Sequence, residues 1–172
     1  MRTTVLTVLV ALVVSPVLGC DRAPARRDPT PAASSVAAPA SAAAPAPGKS
    51  HVDGKNFTID VSATPCKAGQ ECAMTIKLVT AAEFHVNKEY PYKFIAAPAS
   101  KVTFLGKSEP NTFTRAAGDF VEQGEKSGTM TVRFKPDTAG EAKVGGRYKL
   151  SVCSADQCQI EEENLEMAVP VM

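Results

Sequence analysis

Cysteines are the residues of this chain that could do chemistry most directly. There are five of them, Cys20, Cys66, Cys72, Cys153 and Cys158. The last four form two brackets, each around a polar loop of hairpin length, so we expect pairing within each bracket, although four cysteines allow three pairings. In an oxidising compartment such disulfides either stabilise the fold or exchange with the thiols of a partner. The spacing alone leaves both roles open.

Other kinds of active site have little support in the sequence. The histidines are His51 and His85, which cannot form a metal cluster with oxidised cysteines. We expect His85 to be a structural histidine, and the alternative is a functional polar group near the cysteines. Three methionines occupy strand-like apolar positions and are predicted core residues rather than copper ligands, namely Met74, Met130 and Met167. No nucleophile–histidine–acid grouping or phosphate-binding loop is present, and we expect no cofactor.

The charge of the C-terminal part argues against nucleic acid as a partner. Residues 51–172 carry fourteen Lys and Arg against sixteen Asp and Glu, a net charge of −2. Proteins that bind nucleic acid present a basic face, because they must neutralise phosphates. No such face is predicted here.

The N-terminus predicts export. Residues 1–19 combine one positive charge with a short apolar run, which is typical of a secretory signal peptide and too short for a membrane span. The end of this segment, Val17-Leu18-Gly19-Cys20, resembles the bacterial lipobox. That resemblance implies cleavage before Cys20, lipidation of its thiol and an anchor in a membrane of the cell envelope, facing the periplasm. Asp21 resembles a residue that retains some lipoproteins in the inner membrane, but the choice of membrane stays open.

A linker follows the proposed anchor. Residues 20–50 are rich in Ala and Pro, which supply seventeen of the thirty residues from 21 to 50. Such a segment cannot bury enough apolar surface to offset the entropy of ordering, and its prolines interrupt any alanine helix. We therefore expect a disordered tether that holds residues 51–172 near a membrane.

Period-two alternation of apolar and polar residues predicts an all-β domain over residues 51–172. The clearest candidate strands cover 57–61, 74–78, 130–134, 148–152 and 165–169. Seven or eight short strands in this length predict an immunoglobulin-like antiparallel β-sandwich. Gly145-Gly146 and Glu161-Glu162-Glu163 are predicted turns, and 110–124 a long loop with a short strand near Phe120.

Two segments resemble the N-terminal periplasmic domain of the thiol:disulfide interchange protein DsbD. They are LVTAAEFHVNKEYPYKF at 78–94, with its phrase Phe-His-Val-Asn, and GRYKLSVCSADQCQIEEENLEMAVP at 146–170. The resemblance implies an immunoglobulin-like domain with a redox-active pair on a late hairpin, here Cys153 and Cys158. It implies no role for Cys66 and Cys72, which we expect to form a structural disulfide.

The chain departs from that family in several ways. Four residues separate Cys153 from Cys158, where the family more often has five. The aromatic-proline residues that commonly follow the second cysteine are replaced by Gln159-Ile160 and three glutamates. Negative charge near a cysteine disfavours its thiolate, the nucleophile of exchange. No transmembrane reductase follows, so electrons would have to come from a separate membrane thiol reductase.

Two hypotheses follow. In the first, the chain is a membrane-anchored thiol–disulfide exchange module that passes electrons to periplasmic thiol proteins through Cys153 and Cys158. In the second, it is a non-catalytic immunoglobulin-like envelope lipoprotein whose disulfides are structural and which binds another protein. Whether it is an enzyme is left open by the sequence.

Overall fold

The computed structural model describes residues 48–172, and these residues form an all-β domain. The predicted signal peptide, Cys20 and the linker up to residue 47 lie outside the described residues. Residues 48–172 contain no helix of the length and hydrophobicity needed to cross a membrane. The predicted fold class is confirmed, because the strands form two antiparallel sheets of an immunoglobulin-like sandwich.

Eleven strands build the two sheets. They are β1 (His51–Asp53), β2 (Phe57–Ala63), β3 (Cys72–Thr80), β4 (His85–Val86), β5 (Lys93–Ala96), β6 (Val102–Phe104), β7 (Thr112–Thr114), β8 (Phe120–Glu122), β9 (Ser127–Pro136), β10 (Gly140–Cys153) and β11 (Cys158–Val171). One sheet has the order β1-β2-β3-β9-β6, with β8 also on β9. The other has the order β11-β10-β5-β7, with β4 also on β10.

The core lies between the sheets, where alternate residues of each strand point inward. β3 and β9 bury Met74, Ile76 and Val132, and β10 buries Leu150 and Val152 against them. The strands that the alternation predicted correspond to the interior of β2, β3, β9, β10 and β11. The alternation of apolar and polar residues therefore predicted correctly which face of each strand is buried.

The prediction of a turn at Gly145-Gly146 is wrong, because both residues lie inside the uninterrupted strand β10. A Cβ placed on Gly146 would lie 2.3 Å from the Ile95 carbonyl oxygen of β5. A Cβ on Gly145 would lie 2.7 Å from the Leu165 carbonyl oxygen of β11. The glycines therefore allow the neighbouring strands to approach β10 closely, and they do not mark a turn.

Two other predictions of irregular structure are also wrong. Glu161-Glu162-Glu163 is part of β11 and pairs with residues 148–150 of β10. The region 110–124 contains β7 in addition to the predicted strand at Phe120. Polar composition indicated turns in both places, but pairing with a neighbouring strand overrode the local preference.

Candidate functional site

The candidate site is the tip of the β10–β11 hairpin, where the structure joins Cys153 to Cys158 by a disulfide. The two residues lie directly opposite each other, with their Cα atoms 4.0 Å apart. The N–H of Ser154 donates to the Gln157 carbonyl at 2.8 Å, so residues 154 and 157 form the last hydrogen-bonded pair. The cysteines then occupy the neighbouring non-hydrogen-bonded position, where opposed Cα atoms are closest.

Ser154 shapes the turn itself. Its hydroxyl oxygen accepts hydrogen bonds from the N–H groups of Asp156 and Gln157, each at 3.3 Å. Serine often closes short loops in this way, because its hydroxyl bonds backbone two or three residues further on. This turn holds the two cysteines of the bracket in register, as the prediction of local pairing requires.

The two cysteines differ in exposure. Cys153 is 5% exposed, whereas Cys158 is open to solvent. Both side chains lie on the outer face of the sheet, because the core residues of β10 are the even-numbered Tyr148, Leu150 and Val152. A thiolate from solvent therefore reaches Cys158 more easily, and its attack there would release Cys153 as the leaving group.

Strand β4 pairs with β10 next to Cys153 and brings together the two segments that carry the DsbD resemblance. His85 is the register partner of Cys153, and Val86 is the partner of Val152. Paired residues share a face, so half-buried His85 lies on the same outer face as the disulfide. His85 and Cys153 are distant in sequence, and the fold makes them neighbours, as the alternative role for His85 requires.

A polar network holds β4 against β10. The Tyr92 hydroxyl donates to the Ser151 carbonyl and accepts from the Asn87 N–H at 2.9 Å. The Asn87 side-chain amide lies 3.2 Å from the Ser151 hydroxyl. Burial holds the pKa of Tyr92 well above its ordinary value, so its hydroxyl keeps the proton that it donates. No local pattern in the sequence pointed to this network.

Aromatic stacking supports the same network from the opposite sheet. The Tyr92 ring stacks on Phe120 of β8, with ring centroids 4.0 Å apart and planes 10° apart. Offset aromatic pairs contribute about 1 kcal/mol beyond the area that they bury. Tyr92 therefore links Ser151, two residues before Cys153, to the opposite sheet.

The three glutamates after Cys158 should disfavour a thiolate at the disulfide less than their sequence position implies. Along a strand, 161 and 163 face away from the side of Cys158, and only Glu162 shares it. Glu162 pairs with Lys149 at 2.8 Å and Arg147 at 3.1 Å. The hydrogen bond from Lys149 is the largest cause that lowers the pKa of Glu162. Glu162 is also four residues, about 13 Å, from Cys158, which is beyond the screening length in physiological salt.

The second disulfide, Cys66–Cys72, has different surroundings. Cys72 opens β3 and is 5% exposed, and it belongs to the core. The N–H of Cys66 donates to the Pro170 carbonyl at 3.1 Å, and the Met172 N–H donates to the Cys66 carbonyl at 2.7 Å. This disulfide therefore ties the end of β11 in one sheet to the start of β3 in the other.

The methionine positions agree with the prediction that these residues belong to the core. Within residues 48–172, no three His, Cys, Asp or Glu side chains are grouped so that they could hold a metal ion. Met74 and Met130 are fully buried, and Met167 is half-buried beside the same core.

Comparisons with known proteins do not name a family for this chain. No protein-family model matches it, and no curated protein matches it. Among solved structures, one similar chain is AggA, the major subunit of aggregative adherence fimbriae type I from Escherichia coli. The two are 9% identical, and the match covers 71% of this chain and 99% of that one with a TM-score of 0.33. We take no function from so distant a likeness, and the DsbD resemblance rests on the two quoted segments alone.

A separate polar cluster gives a prediction about pH. His51 on β1 lies between Asp60, 2.7 Å from Nδ1, and Asp53, 3.1 Å from Nε2. The Asp60 hydrogen bond is the largest cause that raises the pKa of His51 above 6.5, and the bond to Asp53 adds to it. Because the folded pKa is the higher one, the stabilisation is fully present below pH 6.5 and is lost as pH rises through the folded pKa.

We expect NMR titration of the His51 ring to give a pKa above 6.5 and Asp60→Asn to lower it. Lys77→Ala, a change at the exposed register partner of Asp60, serves as the control and leaves the pKa nearly unchanged. An unchanged His51 pKa in Asp60→Asn would contradict the assignment of the main cause.

Proposed function

We propose that this chain is a membrane-anchored thiol–disulfide exchange module that acts through Cys153 and Cys158. The observation that carries the proposal is the asymmetry of this disulfide, in which Cys158 is exposed and Cys153 is buried beside His85. The other disulfide has one cysteine in the core and the other bonded into the end of β11. Of the four cysteines within residues 48–172, Cys158 alone belongs to the exposed class, and Cys66 is half-buried.

The exchange runs in two balanced steps. In the reduced module, the Cys158 thiolate attacks one sulfur of a partner's disulfide, and the partner's other sulfur leaves as a thiolate that takes a proton from water. The Cys153 thiolate then attacks Cys158 in this mixed disulfide. That step forms the Cys153–Cys158 bond and releases the second partner thiol, so two electrons have moved to the partner.

The module must then be reduced again by a second dithiol. We assign this role to a membrane thiol reductase, whose thiolate attacks the exposed Cys158 and releases Cys153. Lipidation at Cys20 and the Ala/Pro-rich linker would hold the module within reach of such a protein at the periplasmic face. The anchor rests on the lipobox resemblance alone.

The test is a redox titration of the whole chain, expressed with its leader and purified in detergent. Thiol trapping and mass spectrometry in graded thiol buffers follow each disulfide separately. We expect Cys153–Cys158 to be reduced at a potential between about −120 and −270 mV, the range of exchange proteins, with Cys66–Cys72 intact. Both bonds resisting reduction until the domain unfolds would overturn the proposal in favour of a non-catalytic envelope lipoprotein.

A single-residue variant separates the two cysteines. We expect Cys158→Ser to abolish reduction of glutathione disulfide, because the remaining Cys153 is buried. The Cys153→Ser variant should instead accumulate a glutathione adduct on Cys158, since no second thiol resolves it. Adducts on Cys153 in the first variant, at the rate seen in the second, would contradict the assigned roles.

A further inference from the structure

The free edge of β11 beside Cys158 is the feature that the proposed function leaves unexplained. β11 is the edge strand of its sheet, and β10 covers its other side along all fourteen residues. In such an antiparallel pair, alternate residues point their N–H and C=O groups away from the partner strand. These outward groups belong to the even-numbered residues of β11, as four hydrogen bonds to the edge show.

Two of those bonds come from Lys49 and two from Cys66. The Lys49 N–H donates to Asn164 at 3.1 Å, and Glu166 donates to Lys49 at 3.0 Å. Cys66 bonds Pro170 and Met172 in the same way. The outward groups of residues 158, 160 and 162 have no backbone partner within residues 48–172. The open part of the edge therefore begins at the exposed cysteine.

Two prolines of the linker would remove backbone donors from a ladder that continued beyond Lys49. Lys49 runs parallel to β11, so a ladder continued towards the N-terminus would need the N–H of residue 47 for the Glu162 carbonyl. It would next need the N–H of residue 45 for the Ile160 carbonyl. Both residues are proline and have no N–H to donate. A linker that continued in this register would therefore lack both of these donors.

The side chains around the open edge indicate what kind of segment fits it. Ile160 is 68% exposed, on the same face as Cys158 and two residues away. Asp156, Glu161 and Glu163 are not in ion pairs with any residue from 48 to 172. An extended segment that alternates basic and apolar residues would match this charge and this contact.

We infer that the edge of β11 from Cys158 to Glu162 binds the exchange partner by strand addition, through an extended basic segment that carries the partner's cysteine. This inference rests on the proposed function. Strand addition would fix the partner's sulfur beside Cys158 through backbone hydrogen bonds, with little dependence on its sequence. Specificity would then come from the alternating charges and from Ile160.

The probe is a blocked eight-residue peptide, with Lys and Val alternating around one cysteine held as a mixed disulfide with glutathione. The measured quantity is the ratio of its reduction rate by the reduced whole chain to the rate for glutathione disulfide. We expect Ile160→Pro to lower this ratio about fivefold, because it removes an outward N–H that β10 does not use. Ile160→Ala keeps that N–H and should lower the ratio less.

Ala168→Pro is the matched control. Residue 168 is another even-numbered position of β11 whose outward groups have no backbone partner among residues 48–172, but it lies ten residues from Cys158. We expect it to leave the ratio unchanged. A peptide with Glu in place of Lys should react more slowly than the lysine peptide.

A direct readout uses the oxidised chain and the same peptide with serine in place of cysteine. Strand addition should slow hydrogen exchange at the amides of residues 160 and 162 and leave that of residue 168 unchanged. The inference is overturned if these amides stay unprotected, if Ile160→Pro and Ile160→Ala lower the ratio equally, or if protection requires a second copy of this chain. If the chain reduces the peptide disulfide no faster than glutathione disulfide, only this inference is contradicted. If it reduces neither disulfide, the proposed function is contradicted.

Discussion

Gly146→Ala is expected to destabilise the domain by about 3 kcal/mol, at the upper end of the cost of overpacking. The added methyl group would lie 2.3 Å from the Ile95 carbonyl oxygen and 2.7 Å from the Phe94 ring. The first contact is with backbone, so β5 and β10 must move apart where residues 146–149 pair with 93–96. Relief by a side-chain rotation is not available.

Denaturant unfolding of the Gly146→Ala chain measures this loss. Lys143→Ala, an exposed change in the same strand, is the control and should fall within about 0.5 kcal/mol of the parent. Equal stability of the two variants would show that β5 and β10 do not approach as closely as described. We also expect Gly146→Ala to leave the Cys153–Cys158 bond formed, since the hairpin tip lies seven residues away.

Replacing both Cys66 and Cys72 with alanine is expected to cost about 3 kcal/mol of unfolding free energy. The loop-closure entropy of a bond between residues six apart accounts for about 2 kcal/mol of this. The rest comes from the buried Cys72 sulfur and from the backbone bonds that hold Cys66 to the end of β11. Thermal and denaturant unfolding measure the loss.

The paired control replaces Cys153 and Cys158 with alanine. That bond joins residues five apart, so its entropic contribution is nearly the same. It lies outside the core, and fourteen register pairs still hold the hairpin without it. We therefore expect a smaller loss than for the Cys66–Cys72 pair. A larger loss would mean that the hairpin disulfide is the main structural one, which would weaken the exchange proposal.

Local patterns predicted much of the fold correctly. The alternation around Ile59, Ile76 and Val132 identified central strands, because those strands are buried on one face only. Pairing within each cysteine bracket is confirmed, because short polar loops bring their ends together by local geometry. Strand alternation and local disulfide pairing depend on residues that are close in sequence, so they can be predicted from the sequence.

Predictions that depended on distant neighbours were less successful. Gly145-Gly146 and Glu161-Glu162-Glu163 have the composition of turns, but both lie within paired strands. At the glycines the requirement is set by Ile95 and Leu165, which are far away in sequence. Because Glu161, Glu162 and Glu163 lie in a strand, Glu162 points to one face of β11 and the other two glutamates point to the opposite face. A turn would not have separated their charges in this way.

By itself, the sequence determined an all-β domain, two local cysteine brackets and a linker whose prolines at 45 and 47 cannot donate a backbone hydrogen bond. Those properties follow from side-chain chemistry and from period two. Only the tertiary structure decided that Cys158 is exposed while Cys153 lies beside His85, and that the edge of β11 is open next to them. Exposure and edge pairing depend on which strands come to lie side by side, and that is settled by packing between residues distant in the chain.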